Sequence, residues 1–249
     1  VLSQRTSGSR RSFLLAGAAG MLATRSVDAA APTKVKTQAR IVIVGAGAAG
    51  LTAAARLSAA LDGARITIID PRREHFYQPG FTLVAAGIKP MDYVVSRTAD
   101  YIPPGVELVT DRVAELDVDG KQVLTASGAR HPYDFLIVAT GMQLEYGLIE
   151  GMDAKLIGEH GIGSIYGGPQ AAQATWRAMS AFADRGGRGV FLRPATEMKC
   201  AGAPLKYTFI SEDYLTRRGT RSKSEVIYNS NNKALFSVPI VHEKVRMLF

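Results

Sequence analysis

The chain has a single cysteine, Cys200, among its 249 residues. One thiol cannot form a disulfide within the chain, so an internal cross-link is excluded. The apolar stretch at residues 16–24 is too short to cross a bilayer, which requires about 20 residues. No basic stripe with interleaved aromatic residues accompanies the formal net charge of +8, and nucleic acid is therefore not expected as a partner. No metal site is predicted.

The positive charge is concentrated at the amino terminus. Residues 1–40 contain seven Lys or Arg and one acid, a net charge of +6, which leaves +2 for the rest of the chain. The remaining residues have the composition of a globular α/β protein and are enough for one large or two small cores. The basic character therefore belongs to a leader and not to the folded part.

This leader resembles an export signal. Residues 9–14 read S-R-R-S-F-L, the twin-arginine pattern, and residues 16–24 form a weakly apolar stretch. Small residues before Ala30 offer a cleavage site. We predict that residues 1–40 are removed and that the mature protein is periplasmic and peripheral to the inner membrane. The alternative is a mitochondrial transit peptide, since the segment is rich in Arg and Ser and holds one acid, Asp28; the location would then be the mitochondrial inner membrane.

A strand and a glycine turn follow the leader. Ile41 to Val44 is an uninterrupted β-branched run, typical of a strand buried on both faces of a parallel sheet. Three glycines then fall in the spacing G-x-G-x-x-G, namely Gly45, Gly47 and Gly50. This spacing lets the chain turn tightly, brings backbone against a pyrophosphate and packs the next helix close to the strand.

The second half of the motif supports the same interpretation. Leu51 to Leu61 is rich in Ala and Leu and predicts a helix. Ile66 to Ile69 predicts a buried strand that ends in Asp70, 20 residues after Gly50, where a carboxylate accepts hydrogen bonds from a ribose hydroxyl. We interpret the motif as a dinucleotide site; the alternative is a glycine-rich structural turn.

The next segments predict an apolar loop and a β-meander. Residues 71–87 carry three aromatic residues and two prolines, too apolar for a solvent loop, so they either pack across the sheet edge or form the wall of a site for a planar ring. Val106 to Val109, Arg112 to Val118 and Gln122 to Thr125 predict short strands, the last two joined by a hairpin turn at Asp119-Gly120. Together these strands suggest a meander.

Two features after the meander bear on the cofactor. Tyr133 to Ala139 predicts a buried strand that ends in Thr140-Gly141. In flavoproteins with two dinucleotide-binding domains, this A-T-G closes the first domain and brings backbone close to the cofactor. Pro169 to Ala183 then predicts a helix, begun by Gly168 and Pro169.

The strand predicted at Gly189 to Leu192 is the one after which a second nucleotide site is expected. Residues 193–204 contain no G-x-G-x-x-G, which argues against a nicotinamide site. Cys200 lies in this loop, beside Lys199 and before a helix predicted over about Leu205 to Arg218. A helix N-terminus and a neighbouring cation both favour a thiolate. We interpret Cys200 as functional; the alternative is a small buried apolar side chain, the usual role of a lone cysteine.

Several motifs together carry a family resemblance. Besides the glycine motif they are HFYQP at 75–79, VATGMQLEY at 138–146, GIGSIY at 161–166, KCAGAPLK at 199–206 and RSKSEVIYN at 221–229. With these motifs the chain resembles the sulfide:quinone oxidoreductases, of the mitochondrial type and its bacterial relatives, within the flavin disulfide reductase superfamily. HFYQP and KCAGAP are the most specific of them.

The resemblance implies FAD as the cofactor and a set of contacts with it. Ala48 and Ala49 would offer amides to the pyrophosphate, and Val113 would meet the adenine edge through its backbone. Gln78 would also contact the cofactor. The predicted cofactor-binding residues are therefore Gly45, Gly47, Ala48, Ala49, Gly50, Asp70, Gln78, Val113, Thr140 and Gly141. Cys200 would be one of two redox cysteines that relay sulfur and electrons to the flavin.

The predicted fold class is α/β. A Rossmann-like FAD-binding domain with a β-meander insertion is expected at residues 41–145, and an incomplete second Rossmann-like domain carrying Cys200 at residues 146–249. The family's second redox cysteine and its C-terminal amphipathic helices lie beyond the equivalent of Phe249, so the sequence is interpreted as C-terminally truncated. The cysteine that some bacterial members carry near the position of Ile162 is also lacking, which indicates the mitochondrial-like branch.

The implied activity is FAD-dependent oxidation of sulfide to sulfane sulfur, as persulfide or polysulfide, with electrons passed to a membrane quinone. Sulfite, a thiol or polysulfide would accept the sulfur, and the full-length protein would associate peripherally with the membrane. One alternative is a sulfide dehydrogenase that uses a cytochrome acceptor. The other is a truncated, non-catalytic flavin-binding remnant.

Overall fold

The computed structural model describes residues 33–196 and 198–249. The twin-arginine motif and the predicted cleavage site before Ala30 lie outside these residues. Within the described ranges, no helix has both the length and the apolar character needed to cross a membrane.

The secondary structure alternates between strands and helices. The strands are β1 (Val35–Lys36), β2 (Arg40–Val44), β3 (Leu61–Asp62), β4 (Arg65–Ile69), β5 (Glu74–Phe76), β6 (Val95–Arg97), β7 (Val106–Val109), β8 (Val113–Asp117), β9 (Gln122–Thr125), β10 (Arg130–Pro132), β11 (Phe135–Val138), β12 (Gly187–Arg193) and β13 (Ser224–Ser230). The helices are α1 (Ala48–Ala60), α2 (Phe81–Val84), α3 (Pro169–Arg185), α4 (Ala203–Arg217) and α5 (Pro239–Arg246).

The centre of the fold is a four-stranded parallel sheet with the strand order β11, β2, β4, β7. Ile43 of β2 lies beside Ile68 of β4, and both side chains are fully buried, each contributing about 1.5–3 kcal/mol to stability. Leu51 and Ala54 of α1 pack on the face that presents these isoleucines. The predicted α/β, Rossmann-like fold is confirmed.

The opposite face of the sheet is covered by the antiparallel meander β8, β9, β10. Because side chains alternate along a strand, Val42 points to this face and packs with Val123 and Tyr133. The meander differs from the predicted one in its strands. The assignment of Val106–Val109 to it is wrong, since β7 pairs in parallel with β4 as the edge of the central sheet. β10 provides the third strand instead.

The fold begins before residue 40. β1 pairs in parallel with β3 at the end of α1. The backbone amide of Arg40 donates to Asp134 at 2.7 Å, and its guanidinium donates to the same carboxylate at 2.8 Å. Residues 35–36 and Arg40 thus pair with the fold on the amino-terminal side of the boundary predicted after residue 40. A two-residue strand such as β1 is too short to show a periodic pattern in sequence.

Residues 71–87 are more ordered than the predicted loop. They contain β5, a 3₁₀ turn at Gln78–Gly80 and the short helix α2. Phe81 and Ala85 are buried, and they pack in one cluster with Ala172 of α3 and Tyr207 of α4. This segment is thus the junction between the central sheet and the C-terminal half of the chain.

The C-terminal half is a smaller α/β unit. β12 and β13 pair in parallel along their whole lengths, from Gly187 beside Ser224 to Arg193 beside Ser230. Met179 and Ala183 of α3 and Leu215 of α4 form its buried cluster. The sequence pattern predicted β12 and both helices but not β13, whose polar residues interrupt the apolar run.

Candidate functional site

The three glycines of the turn after β2 are required for three different reasons. Gly45 has a φ of +105°, and a Cβ there would lie 2.5 Å from the carbonyl oxygen of Ala139. A Cβ at Gly50 would overlap the carbonyl oxygen of Gly45. A Cβ at Gly47 would meet no atom within 4 Å. Gly45 and Gly50 thus hold the turn together, whereas Gly47 faces open space in which a ligand can approach the backbone.

The amino terminus of α1 offers free backbone donors at the same place. Gly47 is the N-cap, and among the described residues no side chain caps the helix and no acid lies in its first turn. Ala48 and Ala49 are exposed. The first amides of a helix have no partner within the helix and carry the positive end of its dipole, so they favour an anionic group. A pyrophosphate matches this donor set.

Asp70 closes the turn from the end of β4. Its carboxylate accepts from the amide of Ala46 at 2.8 Å and from the amide of Arg72 at 2.8 Å. Burial opposes ionisation of Asp70, but these two amides and the Arg72 guanidinium together lower its pKa. Asp70 is only 4% exposed, and the half-exposed Arg72 side chain lies against its carboxylate at 3.4 Å. Arg72 is not among the predicted site residues; its signal in the sequence is the position two residues after Asp70.

We expect Asp70→Asn to destabilise the protein by about 1–3 kcal/mol, because one of its two acceptor oxygens becomes an NH₂ group facing a buried donor. Folding lowers the pKa of Asp70. The carboxylate therefore stabilises the fold fully above its unfolded pKa of about 4, and this contribution is lost as the pH falls through the lower folded pKa.

Urea unfolding of wild type and Asp70→Asn measures this difference. The difference should be largest near neutral pH and decrease as the pH falls below about 4. Asp119→Asn, at an exposed hairpin position, is the matched control and should leave stability unchanged. Equal stability of wild type and Asp70→Asn near neutral pH would contradict the assignment.

Thr140 and Gly141 lie at the same edge of the sheet. The amide of Ala139 donates to the carbonyl of Val44 at 2.8 Å, which holds the end of β11 beside the glycine turn. Gly141 has a φ of +78°, and a Cβ there would meet no atom within 4 Å. Its backbone is therefore open on this side, at the end of β11.

Two further predicted residues lie outside the glycine turn. Gln78 is half-buried and is the first residue of the 3₁₀ turn before α2. Val113 begins β8, and its side chain packs in the cluster that contains Val44 and Ile69. The glycine turn, Asp70 and Thr140-Gly141 follow the carboxyl ends of parallel strands, where nucleotides bind in open α/β sheets. Exposed backbone at two glycines and uncapped helix amides fit a flavin dinucleotide.

Cys200 lies in the loop between β12 and α4. It is exposed, whereas the alternative interpretation expects a buried apolar side chain. Its backbone has a φ of +51°, uncommon for a residue other than glycine. Its carbonyl accepts from the amide of Ala203 at 2.8 Å. Since α4 begins at Ala203 and not at Leu205, Cys200 lies immediately before the helix N-terminus.

The Lys199 ammonium lies over the ring of Tyr166, 5.6 Å from its centroid. Burial, and then the charge of Arg72, lowers the pKa of Lys199. Burial, and then the charge of Cys200, raises the pKa of Tyr166. Tyr166 is not among the predicted site residues, although it ends the GIGSIY motif.

A buried tyrosine joins the Cys200 helix to the cofactor side. The hydroxyl of Tyr207 in α4 donates to the carbonyl of Ala85 at 2.8 Å, and burial raises the pKa of Tyr207 strongly. The Tyr207 ring packs 5.8 Å from that of Phe191 in β12. α4 is thus fixed to the segment that follows Gln78.

The fold and the site define a dinucleotide-binding oxidoreductase of the Rossmann-like class. Residues 39–172 match the family model described as pyridine nucleotide-disulphide oxidoreductase. The chain belongs to this family, and the family together with the site supports a flavin cofactor.

Curated relatives are sulfide:quinone oxidoreductases. The mitochondrial enzyme of Mus musculus is 37% identical over 82% of this chain and 44% of its own length. The mitochondrial enzyme of Dictyostelium discoideum is 34% identical over 82% of this chain and 45% of its own length. The predicted resemblance is confirmed, and the chain spans less than half the length of these relatives.

Solved structures agree on the fold. The sulfide:quinone oxidoreductase of Aquifex aeolicus superposes with a TM-score of 0.71 at 21% identity, covering 85% of this chain and 48% of that protein. An NDH2 from Plasmodium falciparum, solved in complex with NADH, superposes with a TM-score of 0.55 at 12% identity, covering 86% of this chain and 46% of that protein. At these identities the agreement shows the fold alone, and the electron donor must be argued from the site.

Proposed function

We propose that the full-length protein oxidises sulfide with FAD and passes the electrons to a membrane quinone. The observation that carries this proposal is the position of Cys200. It is exposed immediately before α4, in the loop where a nicotinamide-binding protein of this fold needs a glycine turn. Tyr207 fixes that helix to the cofactor side. The names of the relatives support the same substrates.

Cys200 is proposed to carry the sulfur. Hydrosulfide attacks the Cys200 sulfur of an S–S bridge, the bridge breaks, and the second sulfur leaves as a thiolate with the bonding pair. Cys200 then carries the substrate sulfur as a persulfide. Because the sequence has one cysteine, the second sulfur comes from outside residues 1–249.

The cycle closes when the sulfur leaves. Transfer of the persulfide sulfur to sulfite, a thiol or polysulfide returns Cys200 as a thiol. Rejoining the two sulfurs releases two electrons, and bound FAD supplies the two-electron acceptor chemistry between them and the quinone. The chain's own contribution is to hold the pyrophosphate at Gly47 and the first turn of α1, the ribose at Asp70, and Cys200 at the end of its loop.

Turnover of the full-length protein with sulfide distinguishes the candidate acceptors. We expect sulfide-dependent reduction of a soluble ubiquinone analogue in the presence of vesicles, to which the protein binds peripherally. Reduction of cytochrome c without quinone would favour the sulfide dehydrogenase alternative. Failure of sulfide to reduce the flavin under anaerobic conditions would overturn both.

A second candidate applies to residues 1–249 taken alone: flavin binding without catalysis. It is favoured by the exposed apolar side chains of two sheets, Phe135 and Val138 on β11 and Val190 and Leu192 on β12. Exposed apolar surface of this kind requires a covering partner or lowers solubility. Purified residues 1–249 that bind FAD and show no reaction with sulfide would support this candidate.

For localisation we propose periplasmic export through the arginine pair. Replacing Arg10 and Arg11 with Lys keeps the charge but removes the guanidinium forks that a receptor reads bidentately. We expect the double variant to remain in the cytoplasm with its leader uncleaved, as measured by fractionation and intact mass. Normal export of the double-Lys protein would contradict twin-arginine recognition, and import into mitochondria would favour the transit-peptide alternative.

A further inference from the structure

The loop at residues 161–166, which carries the GIGSIY motif, is held firmly against α3. The amide of Ser164 donates to Thr175 at 2.8 Å, and the Thr175 hydroxyl donates in turn to the carbonyl of Ala171 at 2.8 Å. The hydroxyls of Ser164 and Tyr146 lie 2.6 Å apart. Since Thr175 is itself buried, Tyr166, two residues after Ser164, extends from a fixed support.

Tyr166 connects this support to two other parts of the molecule. Its ring packs against that of Phe81 in α2, with centroids 6.1 Å apart, and Phe81 is 1% exposed. Its other contact is the Lys199 ammonium, 5.6 Å from the ring centroid. Cys200 is the next residue along the chain. Tyr166 therefore lies between the segment after Gln78 and the loop that carries the cysteine.

The Cys200 loop has a second anchor on its other side. Tyr207 fixes α4 to the carbonyl of Ala85, in the same segment that contains Phe81. The chain on both sides of Cys200 is thus held to the segment that contains Phe81 and Ala85. Lys199 contacts this segment through Tyr166, and Tyr207 contacts it directly. Two anchors restrict where the sulfur can lie, which one anchor would not.

We propose that Tyr166 is a positioning residue for Cys200. The ring of Tyr166 holds the Lys199 ammonium and so fixes the neighbouring Cys200 sulfur relative to the segment that contains Phe81. This inference rests on the proposed function and gives the GIGSIY motif a role. The acting group is the face of the ring, because a cation–π contact is made with the ring. Phenylalanine retains that face, and leucine does not.

Four variants of the full-length protein test the proposal. We expect Tyr166→Leu and Lys199→Met each to slow anaerobic sulfide-dependent flavin reduction by about 2- to 5-fold, the effect of losing one cation–π contact with an exposed lysine. Tyr166→Phe should rescue the rate of the leucine variant. The double variant that combines Tyr166→Leu with Lys199→Met should be no slower than either single variant, because the two substitutions remove the same contact. Lys155→Met, an exposed lysine in a 3₁₀ turn, controls for the change in charge.

Amide hydrogen exchange provides a readout that needs no sulfide. Peptides covering residues 198–202 should exchange faster by a similar factor in Tyr166→Leu and Lys199→Met, and at the wild-type rate in Tyr166→Phe. FAD content should stay unchanged in all four, and the thermal midpoint in Tyr166→Phe and Lys199→Met, which separates loop positioning from general loss of structure. If wild type fails to react with sulfide, the proposed function fails, and the exchange data still decide the role of Tyr166.

Three outcomes would overturn the proposal. Wild-type exchange of the loop in Tyr166→Leu would show that the ring does not hold it. Tyr166→Phe as slow as Tyr166→Leu, with Lys199→Met at the wild-type rate, would assign the effect to the hydroxyl instead. Multiplying effects in the double variant would show that Tyr166 and Lys199 act independently.

Discussion

Gly47→Val is expected to weaken FAD binding by the full-length protein strongly without unfolding it. The backbone of Gly47 has φ −76° and ψ −173°, which valine adopts freely, and its Cβ would meet no protein atom within 4 Å. The added side chain instead fills the space in which the pyrophosphate reaches the first amides of α1. Each hydrogen bond to a charged group contributes about 1.5–3 kcal/mol, so loss of one or two lowers affinity by at least about 10- to 100-fold.

The measurement is FAD titration by fluorescence quenching, with circular dichroism to confirm folding. Gly147→Val is the matched control, since a Cβ at Gly147 also meets nothing within 4 Å and lies outside the predicted cofactor contacts. Gly50→Ala should behave in the opposite way and lose the fold, because its Cβ overlaps the carbonyl oxygen of Gly45. FAD binding by Gly47→Val at wild-type affinity would place the pyrophosphate elsewhere.

Cys200→Ser is expected to keep FAD and to lose sulfide oxidation by at least about 1,000-fold, as nucleophile removal does. Serine is nearly isosteric with cysteine, and the exposed position makes no packing contribution that the change would remove. The serine hydroxyl is far less acidic than the cysteine thiol and cannot form a persulfide. Flavin absorbance and the thermal midpoint should match wild type, while steady-state quinone reduction by sulfide falls to background. Normal turnover would show that Cys200 has only a structural role.

The dinucleotide half of the site was predictable because its signal is local. The run Ile41 to Val44, the glycine spacing and the acid at Asp70 all fall within thirty residues, and a helix must follow so tight a turn. Structure adds the reason for each glycine, which sequence alone does not separate. It also shows Arg72 covering the Asp70 carboxylate, a contact that depends on the course of the chain after β4.

The errors arise where pairing is not local. A strand such as Val106 to Val109 has the same composition in a meander and at the edge of a parallel sheet, and only its partner β4, about 40 residues away, decides between them. β1 is too short to show a pattern. Tyr166 is proposed as a site residue because it packs on Phe81 and contacts Lys199. Both partners are distant in the chain, and no periodic pattern in the sequence indicates these contacts.

The central claim is that sulfide reduces the flavin through Cys200. Anaerobic stopped-flow mixing of the full-length protein with sulfide, followed at the oxidised-flavin band near 450 nm (about the position expected of such a cofactor), tests it most directly on wild type and Cys200→Ser at equal flavin content. We predict rapid bleaching of the wild-type flavin and none in the variant on the same timescale. Equal bleaching rates in the two proteins would contradict the claim.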